Sequence, residues 1–200
     1  MKIFILFFGK AYYNNNKLVL KLKNYSFLIS FKSKEKNYIL TKLFMLKIET
    51  WKNNKILRTI SKPIKKDEFK KYVKLWKEMI KYIKDPKHWW VWLACPQVWY
   101  NKRLVVVSLL KNRDSENFPT IMMINPEILE HSNTMQKDIE WCLSIPWEKA
   151  KVERFSNIKV KFLDEKAKEK ILFLEWLSAR IVQHEIDHLN WILFTDKISE

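Results

Sequence analysis

The run His184-Glu185-Ile186-Asp187-His188 places two imidazoles four residues apart, with a carboxylate beside the first. On a helix, residues i and i+4 share one face, so both rings can reach a single divalent ion. Glu185 then stands where it can take a proton from a water that the ion has acidified. Two nitrogen ligands do not complete such a centre, which takes a third protein ligand and keeps one position open. The alternative is an exposed His/Glu helix face that binds nothing. The remaining histidines, His88 and His131, read as surface residues. Two cysteines, Cys95 and Cys142, are too few for a disulfide framework, which makes a reducing compartment the default.

The histidine pair needs a helix, and the pattern predicts one from about Leu172 to Leu189. A second helix is predicted over Asp67–Lys84, where Phe69, Val73, Trp76, Met79, Ile80 and Ile83 fall at helical spacing. Asp67 suits its first turn, and Asp85-Pro86 closes it. Leu104–Leu110 and Thr120–Ile124 are apolar runs of strand length, the second followed by Asn125-Pro126. Asn157–Leu163 alternates, with Ile158, Val160 and Phe162 on one face and Lys159 and Lys161 on the other. There is no internal repeat and no apolar run of eighteen residues, so no ordinary membrane span is expected.

Three stretches carry a resemblance. Trp90-Val91-Trp92-Leu93-Ala94-Cys95-Pro96-Gln97, Glu140-Trp141-Cys142-Leu143-Ser144 and Gln183-His184-Glu185-Ile186-Asp187-His188-Leu189 resemble, in order, the three motifs of the peptide deformylase family. The family writes them G-x-G-L-A-A-P-Q, E-G-C-L-S and Q-H-E-x-D-H-L. The resemblance runs from about Leu46 to Ser199 and includes Ile56-Leu57-Arg58 followed by Lys62-Pro63-Ile64. It implies an α+β fold, with short antiparallel strands around a central helix that carries H-E-x-x-H. It implies a metal-dependent hydrolase that removes the N-formyl group from the N-terminal methionine of newly made proteins.

By the same resemblance, Cys142, His184 and His188 hold one divalent ion. Ferrous iron is what the family implies, whereas the affinity order of the ligand set favours zinc. Glu185 is the acid/base group, and the Gln97 side chain and the Leu143 backbone N–H donate to the formyl oxygen as charge develops. The peptide adds as a strand beside Trp90–Leu93, and Ile181 helps to wall a pocket for its methionine. Cys95 replaces the family's usual alanine and reads as a buried thiol, not a ligand; Arg154 and Asp187 read as structural. The expected partners are formyl-Met nascent peptides and, transiently, the ribosome. No DNA or membrane partner is expected, and the chain is expected to be a cytoplasmic monomer. Two alternatives stay open: a metalloendopeptidase, which would draw its third ligand from downstream of His188, and a catalytically inactive ribosome-associated relative.

The composition is abnormal in one respect. The chain has a single glycine, Gly9, and ten tryptophans, where ~7% glycine would give about fourteen. Trp90, Trp92, Trp99, Trp141 and Trp191 stand where the family has glycine, and Trp51, Trp89, Trp147 and Trp176 fall at glycine-tolerant or turn-like positions. One cause covers all nine: a gene that uses UGA for glycine, translated with UGA read as tryptophan. Trp76, inside a predicted helix, is the exception. On the inactive-relative alternative the tryptophans are real.

Charge divides the chain near residue 45. Residues 1–44 hold nine lysines and one acid, Glu35, while the other 156 residues hold 29 basic and 21 acidic side chains. The expectation is a catalytic domain over 45–200 preceded by an over-extended start or a leader, with Met45 as initiator. Only five of the 38 basic residues are arginine, which argues against a dedicated nucleic-acid reader and for AT-rich coding bias plus a general attraction to ribosomal RNA.

Overall fold

The computed structural model describes residues 46–85, 91–110 and 119–198, together with the backbone of three strands at 9–14, 17–22 and 25–29. Contacts divide the chain into two units, Met1–Met45 and Leu46–Glu200. In the first, β1 (Gly9–Asn14), β2 (Lys17–Leu22) and β3 (Tyr25–Ile29) form an antiparallel meander in sequence order. The apolar opening Ile3–Phe8 lies outside the described residues, as do His88, Trp89 and Trp90.

The second unit is α+β. Its central sheet has the order β10-β9-β6-β5-β4, antiparallel throughout: β4 (Trp92–Ala94), β5 (Leu104–Ser108), β6 (Thr120–His131), β9 (Asn157–Leu163) and β10 (Glu169–Glu175). Helix α1 (Phe69–Lys84) covers one face and α2 (Trp176–Leu189) the other. The division is visible along β5. Leu104 and Val106 pack with Tyr72, Met79 and Ile83 of α1, while Val105 and Val107 pack with Ala179, Val182 and Ile186 of α2. A strand buried on both faces reads as an unbroken apolar run, which is why Leu104–Val107 shows no alternation. Across α2 from the sheet lies a separate hairpin, β7 (Met135–Cys142) and β8 (Ile145–Phe155).

The sequence expectations need three corrections. Helix α2 begins at Trp176, not Leu172, because the preceding residues are β10. Leu172 pairs with Val160 and Leu174 with Ile158, so Leu174 is buried while Phe173 faces solvent. The connecting turn is closed by the Asp164 carboxylate, which accepts from the N–H groups of Lys166 and Lys168 at 2.9 Å each. Strand β6 runs through Asn125-Pro126 to His131. A register shift between Ile124 and Glu127 absorbs the interruption, and the Asn125 side-chain amide bonds both backbone groups of Ile64 (2.8 and 3.0 Å). β5 ends at Ser108, two residues short of the apolar run. The β7–β8 hairpin had no sequence expectation, since its lysine- and glutamate-rich text lacks a long apolar face.

Seven non-glycine residues among those described have positive φ: Asn125, Ala167 and five tryptophans, Trp51 (85°), Trp99 (72°), Trp147 (77°), Trp176 (48°) and Trp191 (64°). A Cβ in the left-handed region crowds the following carbonyl, at ~1–2 kcal/mol per residue. All five indoles are more than half exposed, so core packing does not offset that cost.

The strand assignment of β10 predicts a period-two pattern of sensitivity. Leu174→Ala should cost ~2–5 kcal/mol, and Phe173→Ala, which loses an exposed ring and its contact with Lys159, under about 1 kcal/mol. Urea titration of both variants measures it, and equal losses would argue against the alternation.

Candidate active site

Cys142 ends β7, and His184 and His188 lie one turn apart on α2. One donor atom from each falls within 4.8 Å of the others, and all three residues are buried. The Cys142 Sγ is 3.2 Å from His188 Nε2, and the two rings stand edge-to-face with centroids 5.0 Å apart. The thiol is seated by Leu57, Ile145, Val152, Leu193 and Phe194. His184 Nδ1 is occupied by a carboxylate, whereas its Nε2 has no hydrogen-bond partner among the described residues; the same holds for both oxygens of Glu185. Buried polar atoms left unpaired cost ~1–3 kcal/mol each. A thiolate and two imidazoles are a donor set that a divalent transition ion satisfies.

The protein alone favours neutral groups here. Burial pushes the Cys142 thiol up to about 12, with the Glu185 charge adding to it. Burial likewise raises Glu185 well above the usual carboxylate range. It depresses His188 well below an ordinary imidazole, helped by His184. A cation is what would favour both the thiolate and the carboxylate in this space.

The polar face of α2 holds the site to the hairpin. Arg180, Gln183, His184 and Asp187 recur at helical spacing, and each engages β7 or β8. Arg180 donates to the carbonyls of Gln136 (2.7 Å) and Val152 (2.9 Å). Gln183 pairs with both backbone groups of Phe155 (3.1 and 2.9 Å). His184 Nδ1 meets Glu140 Oε2 at 2.9 Å, and Asp187 pairs with Arg154. Glu140 is the junction. It also takes two hydrogen bonds of 2.9 Å from Arg154 and one of 2.7 Å from Arg180. Burial works to raise its pKa, but the bonds from Arg154 and His184 prevail and hold it well below the usual carboxylate range. An ionised Glu140 fixes the proton on His184 Nδ1 and leaves the Nε2 lone pair for the centre.

Gln97 lies in the tight turn Cys95–Val98 that follows β4. Its Oε1 accepts from the Ala94 N–H (2.8 Å), which turns its Nε2 toward Cys142 Sγ (3.4 Å) and Ser144 Oγ (3.2 Å). Leu143 is half-buried between Cys142 and Ser144. Beside the centre is an apolar cleft lined by Trp92, Ile139, Glu140, Trp141, Leu177, Arg180, Ile181 and His184. β4 is the terminal strand of the sheet, paired to β5 on one side.

The structure therefore brings Cys142, His184, His188, Glu185 and Gln97 together, with Ile181 in the cleft wall. The donor that meets the histidines comes from upstream, not from the segment after His188 that a metalloendopeptidase would use. Cys95 is buried in the core beneath α1 and is not among the converging donors. His131 is exposed and stacks on Phe155 with ring centroids 3.6 Å apart. Sequence reasoning missed Glu140 and Arg180. The signal was present in the arginine, glutamine, histidine and aspartate that share one stripe of α2.

The buried pairing makes Arg154 a stability determinant. Arg154→Met removes two of the four hydrogen bonds to Glu140 and the buried partner of Asp187, and should cost ~3–5 kcal/mol. Lys197→Ala removes only the more exposed partner of Asp187, 3.2 Å away, and should cost less than about 1 kcal/mol. Urea unfolding compares them; similar losses would deny the network its role.

Residues 45–200 match the family described as Polypeptide deformylase. A peptide deformylase of Prochlorococcus marinus (strain NATL1A) is 44% identical over 108 residues, which are 54% of this chain and 52% of that relative. The chain thus aligns with about half the length of this relative. The crystal structure of a probable peptide deformylase from Synechococcus phage S-SSM7 superposes with a TM-score of 0.68 at 36% identity, covering 76% of this chain and 99% of that one. A class I type b peptide deformylase from Acinetobacter baumannii, bound to Met-Ala-Ser, gives a TM-score of 0.66 at 33% identity, covering 77% and 98%.

Proposed function

The chain belongs to the polypeptide deformylase family, and we propose that residues 45–200 carry the family's activity: metal-dependent hydrolysis of the N-formyl group from the N-terminal methionine of newly made proteins. The convergence of Cys142, His184 and His188 beside Glu185 and Gln97 carries this reading.

Cys142, His184 and His188 would hold one divalent ion. Ferrous iron is the proposed occupant by family resemblance, with zinc the rival that the same ligands accept. Such an ion supplies Lewis acidity, which makes water a nucleophile near neutral pH. The remaining work falls to the chain's own groups. Glu185, with neither oxygen hydrogen-bonded among the described residues, accepts the water's proton and returns it to the leaving amine. Gln97 Nε2 and the Leu143 N–H donate to the formyl oxygen as it gains charge; the Ala94 contact that orients Gln97 supports its part. The peptide lies along β4 as an added strand, with its methionine side chain toward Ile181. Glu140 and Arg154 keep His184 in one orientation throughout. The products are formate and a free α-amine.

The partners we propose are formyl-Met nascent chains and, transiently, the ribosome, with no DNA or membrane partner. The enzyme would be a cytoplasmic monomer. Among the described residues no helix is long and apolar enough to cross a membrane. Residues 1–44 are proposed to be dispensable.

The variants that test this are made in the chain with glycine at the nine tryptophan positions named above. Cys142→Ala, His184→Ala or His188→Ala should each lose bound metal in elemental analysis. Glu185→Gln should keep the metal and lose ~10²–10⁴-fold in turnover, and Gln97→Ala should lower kcat by ~10²–10³-fold. Full occupancy after removal of one ligand would overturn the assignment. A chain beginning at Met45 should deformylate formyl-Met-Ala-Ser as fast as the whole one; loss of activity with the fold intact would give residues 1–44 a role. Reloading with ferrous iron or zinc alone then identifies the more active ion.

A further inference from the structure

We infer that the protein made in its own cell carries glycine at Trp51, Trp99, Trp147, Trp176 and Trp191, where the backbone requires it, and at Trp92 and Trp141, where glycine opens the substrate cleft. The backbone half of this inference stands without any functional reading. The cleft half rests on the deformylase proposal.

Eight tryptophans lie among the described residues of the second unit, and five of them have left-handed backbones. Left-handed φ is routine for glycine, occasional for asparagine, and an outlier for a bulky side chain. The two other positive-φ residues, Asn125 and Ala167, are small. Four of the five donate a backbone hydrogen bond, Trp191 to the His188 carbonyl at 3.4 Å. The N–H of Trp51 donates to the Ser144 carbonyl at 2.8 Å, that of Trp176 to Ser156 at 2.8 Å, and that of Trp99 to Pro96 at 3.2 Å. Trp191 follows Asn190 at the end of α2, where a left-handed residue closes a helix and glycine is the usual choice. The fold therefore dictates these conformations, and the indoles add little packing in return, with exposures from 53% at Trp191 to 96% at Trp147. What these sites need is the absence of a Cβ.

Trp92 and Trp141 have ordinary strand backbones and a different defect. Trp92 reaches the cleft from β4 and Trp141 from β7, the strand that ends at Cys142. The cavity they share with Ile181 and His184 measures ≈ 20 Å³, space for about one water molecule. A methionine side chain does not fit until the indoles are gone. Trp76 is the contrast. It lies in the interior of α1, half-buried against the core, where glycine would weaken the helix, so it is assigned as a true tryptophan. One codon read as glycine, and another as tryptophan, accounts for every position.

Peptide masses of the protein isolated from its natural source give the first test. Each of the seven positions should weigh less by the difference between an indolylmethyl group and a hydrogen, with Trp76 unchanged; tryptophan masses at the seven would overturn the inference. The second test separates its halves in the recombinant chain. Glycine at the five left-handed positions should raise the thermal midpoint by several degrees and leave the affinity for Met-Ala-Ser where it was. Glycine at Trp92 and Trp141 should instead bring saturable binding of Met-Ala-Ser, by calorimetry, where the tryptophan chain has none. An unchanged midpoint in the first set would overturn the backbone half. A folded second variant that still excludes the peptide would overturn the cleft half. If the deformylase reading fails while the backbone half holds, masses and midpoint will still shift as stated.

Discussion

A carboxylate removed from water must be matched by donors on nearly every lone pair, or it will not remain charged. Glu140 meets that condition with four hydrogen bonds: two from Arg154, one from Arg180 and one from His184. Those partners sit on different elements, so a single buried charge joins β7, β8 and α2. It also decides which nitrogen of His184 carries the proton, and hence which one faces Cys142. If Glu140 were neutral, the imidazole would lose its fixed tautomer and the two guanidinium groups their shared acceptor. The geometry of the three converging donors depends on this charge more than on any apolar contact.

The rest of the second unit can be understood as the means of burying that junction. Helix α2 has two working faces. Ala179, Val182, Ile186 and Leu189 lie against the central sheet, and Arg180, Gln183, His184 and Asp187 lie against the hairpin. The sheet in turn is closed on its far side by α1. A helix buried on both faces must hydrogen-bond its polar side chains, and the hairpin's open carbonyls and acids are what it bonds. The same burial that raises Glu185 and depresses His188 follows from this arrangement, because the donors lie between two layers with little access to water.

The tryptophans stand outside this consistency. Along β5, β9 and the histidine-bearing stretch of α2, local pattern and tertiary placement agree, as they should in a chain with one well-defined native state. At Trp51, Trp99, Trp147, Trp176 and Trp191 they conflict: backbone hydrogen bonds and turn geometry demand a residue without a Cβ, and the side chain present contributes exposed apolar surface. In the cleft the conflict is one of volume. Two indoles occupy the wall against which an apolar side chain would otherwise lie.

Much of the site was legible in the sequence, because its chemistry is written in local spacing. Two imidazoles at i and i+4 with a glutamate beside them specify a shared helix face wherever the helix sits. The period-two run Ile158–Phe162 specified β9, and the shortage of glycine marked the tryptophans before any φ angle was known. The resemblance across three motifs supplied Cys142 and Gln97, which no local rule connects to the histidines. Tertiary structure decided what depends on distant partners. Leu172–Leu174 is strand and not helix because β9 offers it a hydrogen-bonded edge, a choice that a short apolar run cannot make alone. β6 passes through Asn125-Pro126 because Ile64, sixty-one residues away, satisfies the asparagine amide. Glu140 opens one of the three family motifs, but nothing in the sequence says what its carboxylate does there. Only the packing of α2 on the hairpin, which brings two arginines and a histidine to it in a dry interior, makes it the charge that orients the site.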